Sequence, residues 1–218
     1  MIKSTIQTFL TESLSLLEGT TESNSYFRYA RGFFDRRSGR VKERFRKMED
    51  ILILVDENDR ETGTMAKTPV HQKGLLHRAF SIFIFNSRDE LLLQQRADEK
   101  YHSASLWTNT CCSHPRQNEE VSEAVHRRLK EEMGMQCKLE FQFSFIYKMP
   151  FENGLIEHEL DHVYFGRSDE LPQPDKDEVK SWRYVSMPKL LEEIDSNPEN
   201  FSIWLRICLP RVIEHFKG

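Results

Sequence analysis

Hydrophobic positions along the chain fall into two regimes. In the first, Ile6, Phe9, Leu10, Leu14 and Leu17 recur at helical spacing, and Gly19 stands where such a helix would stop. From residue 50 onward, short apolar runs separated by turn residues take over. Residues 51–55 read as a strand closed by the turn Asp56-Glu57-Asn58-Asp59. Residues 80–85 and 91–93 flank Asn86-Ser87-Arg88-Asp89 and read as a hairpin. Residues 120–132 change to helical spacing, with Ala124, Val125, Leu129 and Met133 on one stripe. Asn118 is placed to cap the start of that helix and Gly134 its end. Strands are expected at 140–148, 159–166 and 181–186, and helices at 187–195 and 202–216. This order predicts an α+β fold, mixed β-sheets sandwiched by helices, rather than a doubly wound parallel sheet.

The chain of 218 residues is divided on this pattern into an N-terminal extension, 1–47, with basic and helical character, and a mixed α/β domain, 48–218. Between Arg28 and Lys47 stand nine Lys/Arg against Asp35 and Glu43, interleaved with Tyr29, Phe33, Phe34 and Phe45. Such a run suits either a nucleic-acid arm or a basic helix or loop beside an acidic domain. It carries no recognition motif, so the second reading is preferred. The net charge of -4 gives no overall attraction for nucleic acid, and no apolar run approaches the roughly 18 residues of a membrane span. Four cysteines, two of them adjacent at 111 and 112, make no secreted disulfide framework. The first apolar stretch is interrupted by Thr, Gln and Glu, unlike a signal peptide, and Glu12, Glu18 and Glu22 argue against a transit peptide. A reducing cytoplasm is the expected compartment.

Chemistry concentrates after residue 106. The run Trp107-Thr108-Asn109-Thr110-Cys111-Cys112-Ser113-His114-Pro115 puts thiols beside a histidine. It leads into Glu119, Arg127, Arg128, Glu131, Glu132 and Gly134, spaced like the Nudix box, G-x5-E-x7-R-E-U-x-E-E-x-G-U with U apolar. Two positions depart: Ser113 replaces the opening glycine and Arg128 the glutamate after the arginine. In that family clustered glutamates hold divalent cations against a diphosphate. An arginine in the cluster removes a metal ligand and supplies a phosphate-binding fork. Taken alone, the helix is also compatible with a solvated face carrying an i,i+4 pair, Arg128 and Glu132.

With Glu157-His158-Glu159, Trp182 and Tyr184, and the segments Pro69-Val70-His71 and Leu76-His77-Arg78-Ala79-Phe80-Ser81 added, the chain resembles the type 1 isopentenyl-diphosphate isomerases, Nudix-fold enzymes, from about Asp50 to His215. The resemblance implies that isopentenyl diphosphate, a small molecule, is converted to dimethylallyl diphosphate by protonation at one carbon and deprotonation at another. Cys112 and Glu159 would be the two acid/base groups, Tyr147 the tyrosine that hydrogen-bonds the glutamate, and Tyr184 the aromatic over the cation, with Trp182 competing for that place. It further implies metal ligation by His71, His77, His114, Glu157 and Glu159, a donor set suited to Mn²⁺ or Zn²⁺. Lys67, Arg96, Lys100 and Arg128 would hold the diphosphate, with Mg²⁺ at Glu132. His158 and His162 are read as bystanders, and Cys111, Cys137 and Cys208 as packing. The family usually carries Pro-Gly where Ala104-Ser105 stands here. A Nudix diphosphate hydrolase and a non-catalytic binding module are the competing readings. Arg128 speaks against the first, and Cys112, Glu159 and Tyr147 together against the second. Oligomeric state is left open.

Overall fold

A computed structural model describes residues 30–35, 40–45, 50–100, 102–151 and 153–216. The chain divides into two compact units, Met1–Met48 and Glu49–Gly218. In the first, β1 (Ala30–Asp35) pairs antiparallel with β2 (Arg40–Phe45), Ala30 opposite Phe45 and Asp35 opposite Arg40. This corrects the basic helix or loop expected there. Arg40, Lys42 and Arg44 recur at a period of two, and the turn dipeptide Ser38-Gly39 stands between the two runs in the sequence. The helix expected over residues 6–17 lies outside the described residues.

The second unit is built on one mixed sheet. Its strands are β3 (Ile51–Val55), β4 (Glu61–Ala66), β5 (His77–Phe85), β6 (Glu90–Arg96), β7 (Trp107–Thr108), β8 (Cys111–Ser113), β9 (Leu139–Pro150), β10 (Ile156–Arg167) and β11 (Val179–Ser186). The main path runs β11-β6-β5-β10-β9, with β5 and β10 parallel and the other neighbours antiparallel. β3 pairs with β4 and touches β5 through Leu54 opposite His77. The helices are α1 (Lys67–Lys73), α2 (Val121–Met133), α3 (Met187–Ser196) and α4 (Ile203–His215).

The strand and helix expectations from residue 50 hold, with bounds that match or differ by a few residues at either end. β4, α1, β7 and β8 were not foreseen. They are short or polar, so neither periodicity has room to register.

β5 and β6 pair only at Phe85 opposite Leu91, next to their turn. Beyond it they diverge, and the gap between them is filled by β7 on β6 and β8 on β5. Thr108, Asn109 and Thr110, all fully buried, fix this insertion. The Thr110 hydroxyl donates to the Leu92 carbonyl (2.6 Å) and accepts from the Ile84 amide (3.0 Å). Asn109 Nδ2 donates to the Cys111 carbonyl (2.9 Å) and the Ile82 carbonyl (3.3 Å). Buried polar groups with every bond made specify one position strongly, because any shift strands them without water.

Alternation assigns each face. Phe80, Ile82, Ile84, Leu92 and Cys111 pack against Ala124, Val125, Leu129 and Met133 of α2. Phe83, Phe85, Leu91, Leu93 and Val163 pack against Leu205, Cys208, Leu209 and Val212 of α4 and Leu190 of α3. Helices thus cover both faces, as the α+β sandwich requires. Asn118 is not the cap of α2. Its φ is 63°, and Glu120 occupies the N-cap with no side-chain bond. The entry to the helix is tied instead by Glu119, which accepts from the Arg116 amide (2.8 Å) and from Arg127 Nη2 (2.7 Å). Gly134 does end the helix, at φ 65°.

Candidate active site

The register of the strands puts the chemistry on one face. Glu159 lies opposite His77 of β5 and Tyr147 of β9, and Cys112 lies opposite Ser81 of β5. Residues two apart share a face, so His77 and Ser81, Cys112 and His114, and Glu157, Glu159 and Asp161 all point the same way. Ser81 donates to Asp161 Oδ2 (2.8 Å) across that face. The Tyr147 hydroxyl donates to Glu159 Oε2 (2.6 Å).

His71, His77, His114 and Glu159 bring one donor atom each to within 4.8 Å of one another. α1 supplies His71, β5 supplies His77, His114 follows directly after β8, and no stretch of sequence holds all of them. His71 Nδ1 sits 2.7 Å from the Lys67 carbonyl and His77 Nδ1 2.9 Å from the Leu75 carbonyl. Carbonyls only accept, so Nδ1 carries the hydrogen in both rings and Nε2 presents its lone pair inward. His71 Nε2, His77 Nε2 and Glu157 Oε2 are buried and without a hydrogen-bond partner among the described residues. Yet His71 Nε2 and Glu157 Oε2 face each other at 2.9 Å. A lone pair against a carboxylate oxygen needs a proton or a cation between them. The residues therefore fit a divalent metal bound by imidazoles and carboxylates.

The electrostatics agree. Burial opposes a charge on His71, but the adjacent Glu157 carboxylate outweighs it and raises the ring's pKa. Burial holds His114 neutral, with a pKa down to about 3. Glu157 is pushed up by burial and by Glu159, whereas the neighbouring His114 and His77 rings overcome burial and hold Glu159 well below the usual carboxylate range. Burial lifts the Cys112 thiol to about 12, with Glu132, Glu159 and Asp161 adding to the rise and Arg96 opposing it. Cys112 is thus a neutral thiol near neutral pH, able to give a proton.

The basic residues come from α1, the end of β6, the loop after it and α2. Arg96 Nη2 donates to the His102 carbonyl (3.3 Å), and its guanidinium lies 5.1 Å from the Trp204 ring centre. Lys67, at the start of α1, is held below the ordinary lysine range by burial, with Glu157, Asp50 and Glu159 opposing. Lys100 pairs with Glu178. Arg128 is bound by Glu131 (2.7 Å) and Glu132 and faces Glu178 at 3.6 Å. Glu132, 5% exposed, also accepts from Gln94 Nε2 (3.0 Å). Oxygen donors of this kind suit Mg²⁺. Where the family carries Pro-Gly, Ser105 adopts φ 62° and its hydroxyl bonds Asp98. The loop therefore keeps a left-handed residue without its glycine.

Tyr184 is not brought to this cluster. With Trp182 (ring centres 6.1 Å apart) it packs into the α2 layer, on the opposite face of the sheet from Cys112 and Glu159. On the α4 side lies Trp204, 6% exposed, which no motif in the sequence singles out. The same is true of His102. It stacks on Phe151 (5.2 Å), meets Trp204 edge-on (5.8 Å), and its Nε2 lies 3.4 Å from Glu157 Oε1. Neither had a local signal, since each is defined by what the fold sets beside it. His158 bonds the Gly74 carbonyl (3.0 Å) and His162 pairs with Asp59 (3.1 Å), both off the ligand face as expected.

A model of the NUDIX domain matches residues 75–205. Isopentenyl-diphosphate Delta-isomerase 2 of Aromatoleum aromaticum is 53% identical over 166 residues, spanning 76% of this chain and 88% of that protein. Isopentenyl-diphosphate Delta-isomerase of Pectobacterium atrosepticum is 51% identical over 167 residues, spanning 77% and 93%. Two solved structures share the fold. DR0079 from Deinococcus radiodurans has a TM-score of 0.63 at 21% identity, covering 77% of this chain and 100% of that one. A MutT protein from Methanosarcina mazei Go1 has a TM-score of 0.54 at 18% identity, covering 66% and 96%. Such identities speak to fold alone, whereas the isomerase relatives are close over most of the chain. With a NUDIX domain over more than half its length and relatives of this kind, the chain belongs to the isopentenyl-diphosphate Delta-isomerase family.

Proposed function

We propose that the protein interconverts isopentenyl diphosphate and dimethylallyl diphosphate, with Cys112 and Glu159 as the two proton-transfer groups. The observation that carries this is their common face: a neutral buried thiol on β8 and an ionised carboxylate on β10, separated by β5 alone. Moving an alkene needs one proton delivered and another removed around a tertiary carbocation, so acid and base must both face a site from which water is excluded. Tyr147 orients Glu159 and supplies a hydroxyl beside its carboxylate. Trp204 offers the π face that favours a developing cation, a role its position supports better than that of Tyr184. Lys67, Arg96, Lys100 and Arg128 hold the diphosphate, with Mg²⁺ at Glu132.

His71, His77, His114, Glu157 and Glu159 would hold Mn²⁺ or Zn²⁺, and the bound ion would supply a fixed positive charge that keeps Glu159 oriented. The hydrolase alternative is disfavoured by Arg128, which stands where the hydrolytic cluster has a further carboxylate and pairs with Glu131 and Glu132. No helix among the described residues is long and apolar enough to cross a membrane. The four cysteines are free thiols, which supports the reducing cytoplasm as the compartment. The test is incubation with isopentenyl diphosphate and Mg²⁺ in deuterated water, followed by NMR. Deuterium in dimethylallyl diphosphate is expected. Released orthophosphate with no isomerised product would overturn the proposal.

A further inference from the structure

His102 is the histidine that the metal cluster does not use, although it touches the carboxylate beside it. Its Nε2 lies 3.4 Å from Glu157 Oε1, while His71 Nε2 faces the other oxygen at 2.9 Å. Its Nδ1 lies 3.4 Å from the Ser103 hydroxyl, and its backbone carbonyl accepts from Arg96 Nη2 at 3.3 Å. The ring is held flat on Phe151, with centres 5.2 Å apart and planes at 26°, and edge-on to Trp204 at 5.8 Å and 89°. With a side chain 8% exposed, it has little freedom to turn away.

A carboxylate with one oxygen on an inward-facing imidazole lone pair is defined by what holds its other oxygen. We propose that His102 is a positioning residue: it donates from Nε2 to Glu157 Oε1, turning Oε2 toward the metal ligands, and couples that orientation to Arg96 at the end of β6 and to the loop after it that carries Lys100. In this tautomer Nδ1 is the acceptor and the Ser103 hydroxyl its donor, so both ring nitrogens are satisfied. The aromatic contacts fix the ring plane, and so the direction in which Glu157 is pulled. The same contacts tie Trp204 to the loop, so the metal side and the diphosphate side of the pocket share one ring. This rests on the reading of the cluster as a metal centre in an isomerase.

The test is a Mn²⁺ titration of the full, substrate-free chain, with free Mn²⁺ read by electron paramagnetic resonance. His102→Phe keeps the stacking ring without a donor and should weaken Mn²⁺ binding by about 10- to 100-fold. His102→Gln reaches the Nε2 position with an amide donor and should restore affinity to within about threefold, whereas His102→Asn, too short to reach Glu157, should not. In a Glu157→Gln background the Phe substitution should cost no more than about twofold, because its effect is transmitted through Glu157. Wild-type affinity in His102→Phe, or an equal loss in both backgrounds, would overturn the proposal. Should the Phe variant fail to fold, the Gln and Asn pair decides: equal affinities overturn it. A wild-type chain that takes up no Mn²⁺ overturns it together with the metal reading. The isomerase reading fails separately, through absence of deuterated product, because the titration needs no turnover.

Discussion

If Cys112 and Glu159 are the two proton-transfer groups, as proposed, removing the thiol or the charge takes away half of the pair without removing a core side chain. Cys112→Ala and Glu159→Gln should each lower kcat by about 10³-fold or more, measured by product NMR, while circular dichroism stays that of the wild type. Turnover near wild type in either would remove the assignment. The aromatic partner of the cation is tested by contrast. Tyr184→Phe should leave kcat within about twofold of wild type, since Tyr184 packs under α2 on the other face. Trp204→Leu should lower kcat by about 10-fold or more through the lost π face. Cys112, His114, Glu157 and Glu159 were legible because they stand in short runs with recognisable neighbours. Trp204 and His102 were not, because a lone aromatic or histidine means nothing until the chain folds around it.

Within α2, the exchange that separates this helix from a hydrolytic one can be reversed. Arg128→Glu would set a fourth carboxylate among Glu131, Glu132 and Glu178, which Arg128 now faces. KM for isopentenyl diphosphate should rise by about tenfold or more, read from initial rates. The end of the helix is equally specific. Gly134 adopts φ 65°, and a Cβ there would lie 2.4 Å from the Gln173 carbonyl oxygen. That loop is itself held by the Gln173 amide on the Met133 carbonyl (2.8 Å), so it cannot easily give way. Gly134→Ala should therefore destabilise by about 2 kcal/mol or more, lowering Tm by about 4–8 °C in a calorimetric scan. The helix and its terminal glycine were readable from periodicity and the turn residue. Its start was not: Asn118 has the right chemistry for a cap but sits two residues before the N-cap, in a left-handed conformation, and Glu119 makes the bonds.

For the whole molecule, we propose that residues 49–218 carry the activity by themselves. They form a compact unit that contains every residue assigned to the site. A chain beginning at Glu49 should fold and isomerise with kcat/KM within about threefold of the full chain. Loss of folding in that truncation would assign the extension a structural part. Metal removal is the complementary test. Extensive dialysis against a chelator should abolish turnover and lower Tm, and Mn²⁺ should restore both, because a ligand bound only by the native state adds its binding free energy to stability. An unaltered Tm after metal removal would count against the histidine centre.

What the sequence alone determined were local matters: which runs are strands, where α2 lies and ends, and which short motifs carry thiol, imidazole and carboxylate. These follow from side-chain periodicity and from chemistry packed into a few consecutive residues, both of which survive in one dimension. Only the tertiary structure decided which face each group occupies and which distant groups meet. The register of β5 between β8 and β10 sets Cys112 and Glu159 on one side, and the pairing of β11 with β6 sets Tyr184 on the other. A shift of one residue in that register would reverse the assignment, because successive strand side chains point to opposite faces.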